Sequence, residues 1–417
     1  MKTRTKVLAG LLAISLMAPL AACGSSSAGG DTIDVMTSMD TGSEQLKVLQ
    51  SITDEFTKEN PGAKFNLIAR STSYEQDLKV RLSANNAPDI FNTHGWSRDR
   101  YSNFLEDLSG RSWAKSLTDQ ANSSLRNDKD QLYALPLGQA VNGILYNKTV
   151  LDKAGVDSTK IANWDDFTAA CEKVKAVGAT CFGFSGKDNW WGGSLVDGMA
   201  NGYYDNAQRK ALQEGKFEVK DYQAMLDRVK SFVDKGFINA DYVSATPDDM
   251  YRLMAQDKMA FNDLGLQFMT SVLSYNPKAQ LGLMPLPGEK SDPYFTVGEL
   301  AALGVSKTSK HKDMALKYLD YLAKPANMKK LTAAVGMPSA FTNVPSELGV
   351  VTDSYNYWTQ QHPVTSETIF DRVYFPDGMW NTMITTADSI MTGQATPQQA
   401  AEQVKTKFDS LYQQTKK

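Results

Sequence analysis

Histidine and cysteine are scarce in this chain, with three of each among 417 residues. The histidines stand at 94, 311 and 362, a thin basis for a His-centred triad or a metal cluster. No cysteine has the spacing to a histidine that a zinc site needs. Charge of one sign is also lacking: Lys+Arg number 44 against 47 Asp+Glu, a formal net charge of −3. That balance favours neither nucleic acid nor an anionic membrane surface as partner. There is no G-x-S-x-G elbow, no H-E-x-x-H and no phosphate-cradling glycine loop, so the common hydrolase, metalloprotease and nucleotide chemistries lack their marks. No repeat of fixed period is present, which speaks against a solenoid. What remains is an ordinary globular composition, 42% hydrophobic and 22% charged, in a chain too long for one compact core. Two domains are therefore expected.

The longest apolar run, "VLAGLLAISLMAPL", is too short for a membrane span and is broken by Pro19. Behind the basic start Lys2, Arg4 and Lys6 it reads as a secretion signal. It ends in "LAAC", which resembles the lipobox of bacterial lipoproteins, where the cysteine thiol carries the lipid; an ordinary secretory signal is the alternative. The expected boundaries are a signal peptide over 1–22 and a flexible tether over 23–30, the "GSSSAGG" after Cys23 being suited to that. Cleavage before Cys23 removes three positive charges and no acid, taking the net charge to −6. Outside the cytoplasm the remaining pair, Cys171 and Cys181, is a candidate disulfide, with two unpaired buried thiols as the alternative.

From Thr32 the chain alternates strand and helix patterns. "TIDVM", "KFNLIA" and "PDIFNT" read as strands. Between them Leu46, Leu49, Ile52 and Phe56 recur at helical spacing up to Asn60-Pro61-Gly62, and Ser73 with Gln76 forms a capping box. The pattern implies an α/β fold with a mostly parallel sheet covered by helices. It restarts with "GILYN", a helix capped by Asn163 that presents Trp164, Phe167, Cys171 and Val174 on one face, and "CFGFS". "LGLMPLPG" and "GELAALGVS" are further strands, and Thr396-Pro397-Gln398-Gln399 opens a final helix. Trp190 and Trp191 sit between a polar run and two glycines, just past the end of "CFGFS". A polar, glycine-rich segment is a poor core element, so the pair is either a local plug or is kept available for a ligand. Ligands gather outside the carboxyl ends of strands in open α/β sheets.

Eight stretches then occur in a telling order: "DEFTKENPGAKF", "NNAPDIFNTHGW", "FLEDLSG", "YALPLGQAVNGILYNKTVLDKAGV", "NWDDFTAACEKVKAVG", "DKMAFNDLG", "LGLMPLPG" and "LAALGVSKTSKHKDMALKYLDYLAKP". With these the mature chain resembles the extracellular solute-binding proteins of ABC importers, in the sugar-binding branch that includes maltose-binding protein. The resemblance implies a two-lobed fold with a hinge and an interlobe ligand cleft, one lobe from 31–140 plus 287–345 and the other from 141–286 plus 346–417. Hinge crossings are expected near Gly138–Asn142, Leu283–Leu286 and Thr342–Pro345. It also implies a monomer at the extracytoplasmic face of a bacterial membrane, held only by its lipid anchor, that closes on a carbohydrate and delivers it to permease subunits. Closure follows from contacts the ligand makes with both lobes only when they are shut, and micromolar capture would need about −8 kcal/mol. No catalysis, cofactor or metal is expected.

A sugar offers apolar C–H faces and a rim of hydroxyls, so its site wants flat aromatics plus satisfied polar groups. Trp190 and Trp191 suit the platform. The resemblance adds Trp380, thirteen residues before Gly393 as in the maltose-binding branch, and His94 and Trp96 after "PDIFNT". It adds Gln139 at the hinge strand and Glu299 in a segment that lines the cleft. Asp40, after the first strand, and Asp263 in "FNDLG" are rim candidates. Gln267 stands where relatives often carry a tryptophan, so stacking order and sugar size do not transfer. A polyamine or peptide cargo is the rival within the same role, since Asp188, Asp263 and Glu299 could make an acidic cleft. Iron held by Tyr203 and Tyr204 is disfavoured because no His/Glu cluster lies near them. An exported glycan hydrolase with two carboxylates across a cleft is the rival of another class.

Overall fold

The computed structural model describes residues 32–70, 74–93 and 100–415. Its strands, in chain order, are β1 (Thr32–Met36), β2 (Lys64–Ile68), β3 (Ile90–Thr93), β4 (Leu135–Asn142), β5 (Ile144–Asn147), β6 (Thr180–Phe182), β7 (Met259–Asn262), β8 (Leu281–Met284), β9 (Tyr294–Val305) and β10 (Thr365–Thr368). Local chemistry sets several boundaries. Ser43 accepts from the Leu46 amide to start the helix Glu44–Glu59, whose Leu49, Ile52 and Phe56 are buried. Asn163 and Asp166 complete a reciprocal capping box on the helix Trp164–Ala176. Thr396 and Gln399 do the same for Pro397–Thr415. Ser73, expected to cap the helix Tyr74–Ser83, lies outside the described residues.

Two sheets result, one of six strands in the order β10-β9-β3-β1-β2 with β4 also on β9, and one of four in the order β6-β7-β5-β8. The expected mostly parallel arrangement is corrected. β1 is parallel to β2 and β3, but β9 runs antiparallel to β3 and β4, and β5 is antiparallel to β7 and β8. The reversal follows from β9 returning across the molecule to close the first sheet.

Two separate apolar cores define two lobes. One gathers Ile33 to Leu137 and Ala301 to Val344, and the other Val141 to Val297 together with Leu348 to Phe408. The chain passes from the first core to the second between Leu137 and Val141, returns between Val297 and Ala301, and passes again between Val344 and Leu348, with Met337 of the intervening stretch also packed into the second core. The return was expected near Leu283–Leu286. It lies within β9 instead, because β8 pairs with β5 inside the second sheet. For the same reason residues 287–297, expected in the first lobe, place Tyr294, Phe295 and Val297 in the second core. The hinge is thus a two-stranded ribbon. β4 and β9 pair from Leu135↔Leu303 to Asn142↔Thr296, with irregularities around Pro136, Gly138 and Gln139. Such a bulge bends a strand and sharpens its twist. A disulfide joins Cys171 on the helix Trp164–Ala176 to Cys181 on β6, and both residues are buried in the second core.

Candidate functional site

The candidate residues come from the carboxyl ends of strands in both sheets and from the hinge ribbon. On the first lobe, Asp40 follows β1 in an exposed loop, with Arg70 Nη1 at 4.0 Å from its Oδ1. His94 and Trp96 follow β3 and lie outside the described residues. At the hinge, Gln139 is buried on β4 opposite Glu299 on β9, and its backbone N–H donates to the Pro338 carbonyl at 3.0 Å. The bulge beside Gln139 re-aims this part of β4.

On the second lobe the chain leaves β6 through a turn and enters the helix Trp190–Tyr203. Here the sequence expectation needs correcting. The "WWGG" segment is not a polar loop but the first turn of a helix that is buried from Trp191 to Gly193, and again from Leu195 to Tyr203. Trp191 is 1% exposed and packs against Phe268 and Tyr251, with ring centroids 5.7 and 6.2 Å away. It is a core side chain, not a platform. The glycines explain why. A Cβ on Gly193 would stand 2.8 Å from Ile384 Cγ1 and one on Gly192 3.3 Å from Ala387 Cβ, so both let the helix Trp380–Met391 lie close against this one. Trp190, one residue earlier, stays half-buried, edge-on to Trp191 at 6.2 Å. Trp380 is likewise half-buried, at the first position of its helix. The two partly accessible tryptophans thus open two helices that pack together.

Asp263 follows β7 and is buried, only 4% exposed. Neither carboxylate oxygen completes a hydrogen bond. Burial pushes its pKa up to about 8, with its own amide and Ser194 pulling back part of the shift, so at neutral pH it is held as the uncharged acid. The backbone leads on to Gly265, at φ 54°, whose added Cβ would meet the Gly143 carbonyl at 3.1 Å. The segment is therefore tucked beneath the β4–β5 junction, and Asp263 is not a free rim group in this arrangement. Gln267, two residues on, is exposed in the first turn of the helix Leu266–Tyr275. Tyr203 and Tyr204 are core residues, 4% and 2% exposed. Sequence reasoning missed one feature altogether: Arg100 and Asp377, which join the lobes through a bidentate ion pair. Their separation of 277 residues leaves no local signal for it. Among the described residues no group of three or more His, Cys, Asp or Glu is placed to hold a metal.

Two α/β lobes with separate cores, joined by a ribbon hinge that brings candidate groups from both together, define a two-lobed, hinged architecture of the solute-binding class. The sequence comparisons agree. The chain matches the model of the bacterial extracellular solute-binding protein family over residues 41–329, and it belongs to that family. It is 30% identical over 393 residues to the melibiose/raffinose/stachyose-binding protein MelE of Bacillus subtilis, covering 92% of this chain and 91% of the relative. Among solved structures, a binding protein MsmE of Bacillus subtilis in an open conformation superposes with a TM-score of 0.85 at 29% identity, over 93% of this chain and 99% of that one. A sugar transporter protein of Bacillus licheniformis in complex with stachyose superposes at 0.78 with 32% identity, over 91% and 100%. No helix among the described residues is long and apolar enough to cross a membrane.

Proposed function

We propose that this protein captures an oligosaccharide of the raffinose series between its lobes and hands it to the permease of an ABC importer, without catalysing any change in it. The observation that carries the cargo is the stachyose complex of a relative that shares the whole fold at 32% identity. The geometry supports it: Trp190 and Trp380 keep part of their rings accessible at the starts of two packed helices, and flat apolar faces of that kind suit the C–H face of a sugar ring. Gln139, Gln267 and Asp40 supply candidate polar partners from the hinge and both lobes, and Glu299, whose side chain is outside the described ones, and His94 and Trp96 are further candidates. A ligand touching both lobes stabilises the closed arrangement by its differential contacts. The "LAAC" sequence supports a lipid anchor on Cys23 and a place on the outer face of the cell membrane, with the protein acting as a monomer.

Isothermal titration of the purified protein with melibiose, raffinose and stachyose tests the cargo, with spermidine and a short peptide as contrasts. Saturable binding of at least one of the sugars, with no product released on prolonged incubation, is expected. Binding of spermidine or peptide and none of the sugars overturns the cargo; liberated monosaccharide overturns the non-catalytic reading.

A further inference from the structure

Away from the three chain crossings and from Met337, which packs into the second core, an ion pair spans the lobes. Arg100 lies beyond the end of β3, next to Tyr101, which is buried in the first core. Asp377 sits between Phe375 and Met379, both buried in the second core. Each residue is therefore fastened to its own lobe. The side chains meet as a fork, Arg100 Nε donating to Asp377 Oδ2 at 2.9 Å and Nη2 to Oδ1 at 2.5 Å. A bidentate guanidinium–carboxylate contact fixes orientation as well as distance. Arg111–Asp320 in the first lobe and Arg209–Glu367 and Arg228–Glu289 in the second each stay within one lobe, whereas Lys329–Glu347 lies beside the third crossing. Behind the fork is a cavity of about 570 Å³ bounded by Gln76, Lys79, Leu82 and Tyr101 as well as by the two ions. The arrangement also superposes better on the open relative, at 0.85, than on the stachyose-bound one, at 0.78.

We propose that Arg100 and Asp377 form an interlobe tether that limits how far the unliganded cleft opens. The pair bridges two lobes that are otherwise joined at the hinge ribbon, the third crossing and Met337, and its Asp377 stands three residues before Trp380. Its strength is modest, because the two side chains are 37% and 44% exposed and salt screens such pairs. A tether of this grade biases the distribution of lobe separations without locking it, so a ligand can still close the lobes. The inference rests on the two-lobed fold and not on the identity of the cargo.

The test needs no sugar. Nitroxide labels on cysteines replacing the exposed Lys129 and Lys220, one on each lobe, report the interlobe distance by double electron–electron resonance, with Cys23→Ser to keep labelling specific. Asp377→Asn and Arg100→Gln are each expected to raise the ratio of wide to narrow separations about two- to fivefold. The exchange variant Arg100→Asp/Asp377→Arg restores the original distribution, and 1 M salt moves the wild-type distribution toward that of the single variants. Unchanged distances in both single variants overturn the tether, as does an exchange variant that keeps their wider distribution. Failure here leaves the sugar titration untouched, and failure of the sugar titration leaves this result standing.

Discussion

Replacing Asp263 by asparagine exchanges a buried acid for a neutral side chain of nearly the same shape, and the consequence is readable in pH. The folded protein holds this carboxyl up to about 8 against an ordinary 3.8. Between those values the folded state keeps a proton that the unfolded state releases, so stability falls as pH rises through the window. Below it both states are protonated and the contribution is complete. One proton corresponds to about 1.4 kcal/mol per pH unit, or about 3 kcal/mol between pH 5 and pH 7. Asparagine does not titrate. The variant minus wild-type stability should therefore grow by about 3 kcal/mol over that interval, in favour of the variant at the higher pH. Asp197 and Asp371 are raised by burial in the same lobe, but both proteins carry them and their slopes cancel in the difference. Urea unfolding at pH 5, 6 and 7, followed by tryptophan fluorescence and circular dichroism, measures it, with coincidence of the two probes checking that one transition is observed. A difference that does not change with pH would refute the assignment of Asp263 as a buried neutral acid.

Three further outcomes separate site from scaffold. Trp190→Ala and Trp380→Ala should each weaken stachyose binding tenfold or more, about 1.4 kcal/mol, with little change in melting. Trp191→Ala should instead cost about 3–5 kcal/mol of stability, as a large buried ring leaves a cavity; calorimetry beside the same titration distinguishes the patterns, and strong binding loss without destabilisation in Trp191→Ala would contradict its core role. Gly193→Ala should destabilise by about 1–3 kcal/mol, measured by urea unfolding, because the new methyl meets Ile384 Cγ1 at 2.8 Å and its Cα at 3.3 Å. Removing the Cys171–Cys181 bridge, which closes a loop over a separation of 10 residues, should cost about 2–3 kcal/mol in the same assay.

Much of the fold was legible because local rules and global packing agree along most of the chain. Asn163 as a helix cap, and Thr396 with Gln399 as a capping box, are signatures that lie within four residues, and both form as read, Asp166 adding a reciprocal bond to the first. "TIDVM", "KFNLIA" and "GILYN" have the β-branched and aromatic character of strands, and each became one. The site was harder to read. Trp190 and Trp191 are neighbours of the same chemistry, yet one is half-buried and the other 1% exposed. The difference is set by Tyr251, Phe268 and the helix Trp380–Met391, none of them adjacent in sequence. Asp263 reads as a solvated acid in "FNDLG", and only its placement under the β4–β5 junction makes it a buried, unpaired one.

By itself the sequence determined the α/β alternation, the helix starts marked by Asn163 and Thr396 and the order of motifs that tie the chain to its family, all of which depend on contacts a few residues long or on patterns read in line. The tertiary structure alone decided that β9 carries the return crossing, that the sheets are mixed, and that Arg100 reaches Asp377 across 277 residues. Those outcomes depend on which surfaces meet, and a side chain's burial or partner is a property of both surfaces, only one of which is written in its own stretch of chain.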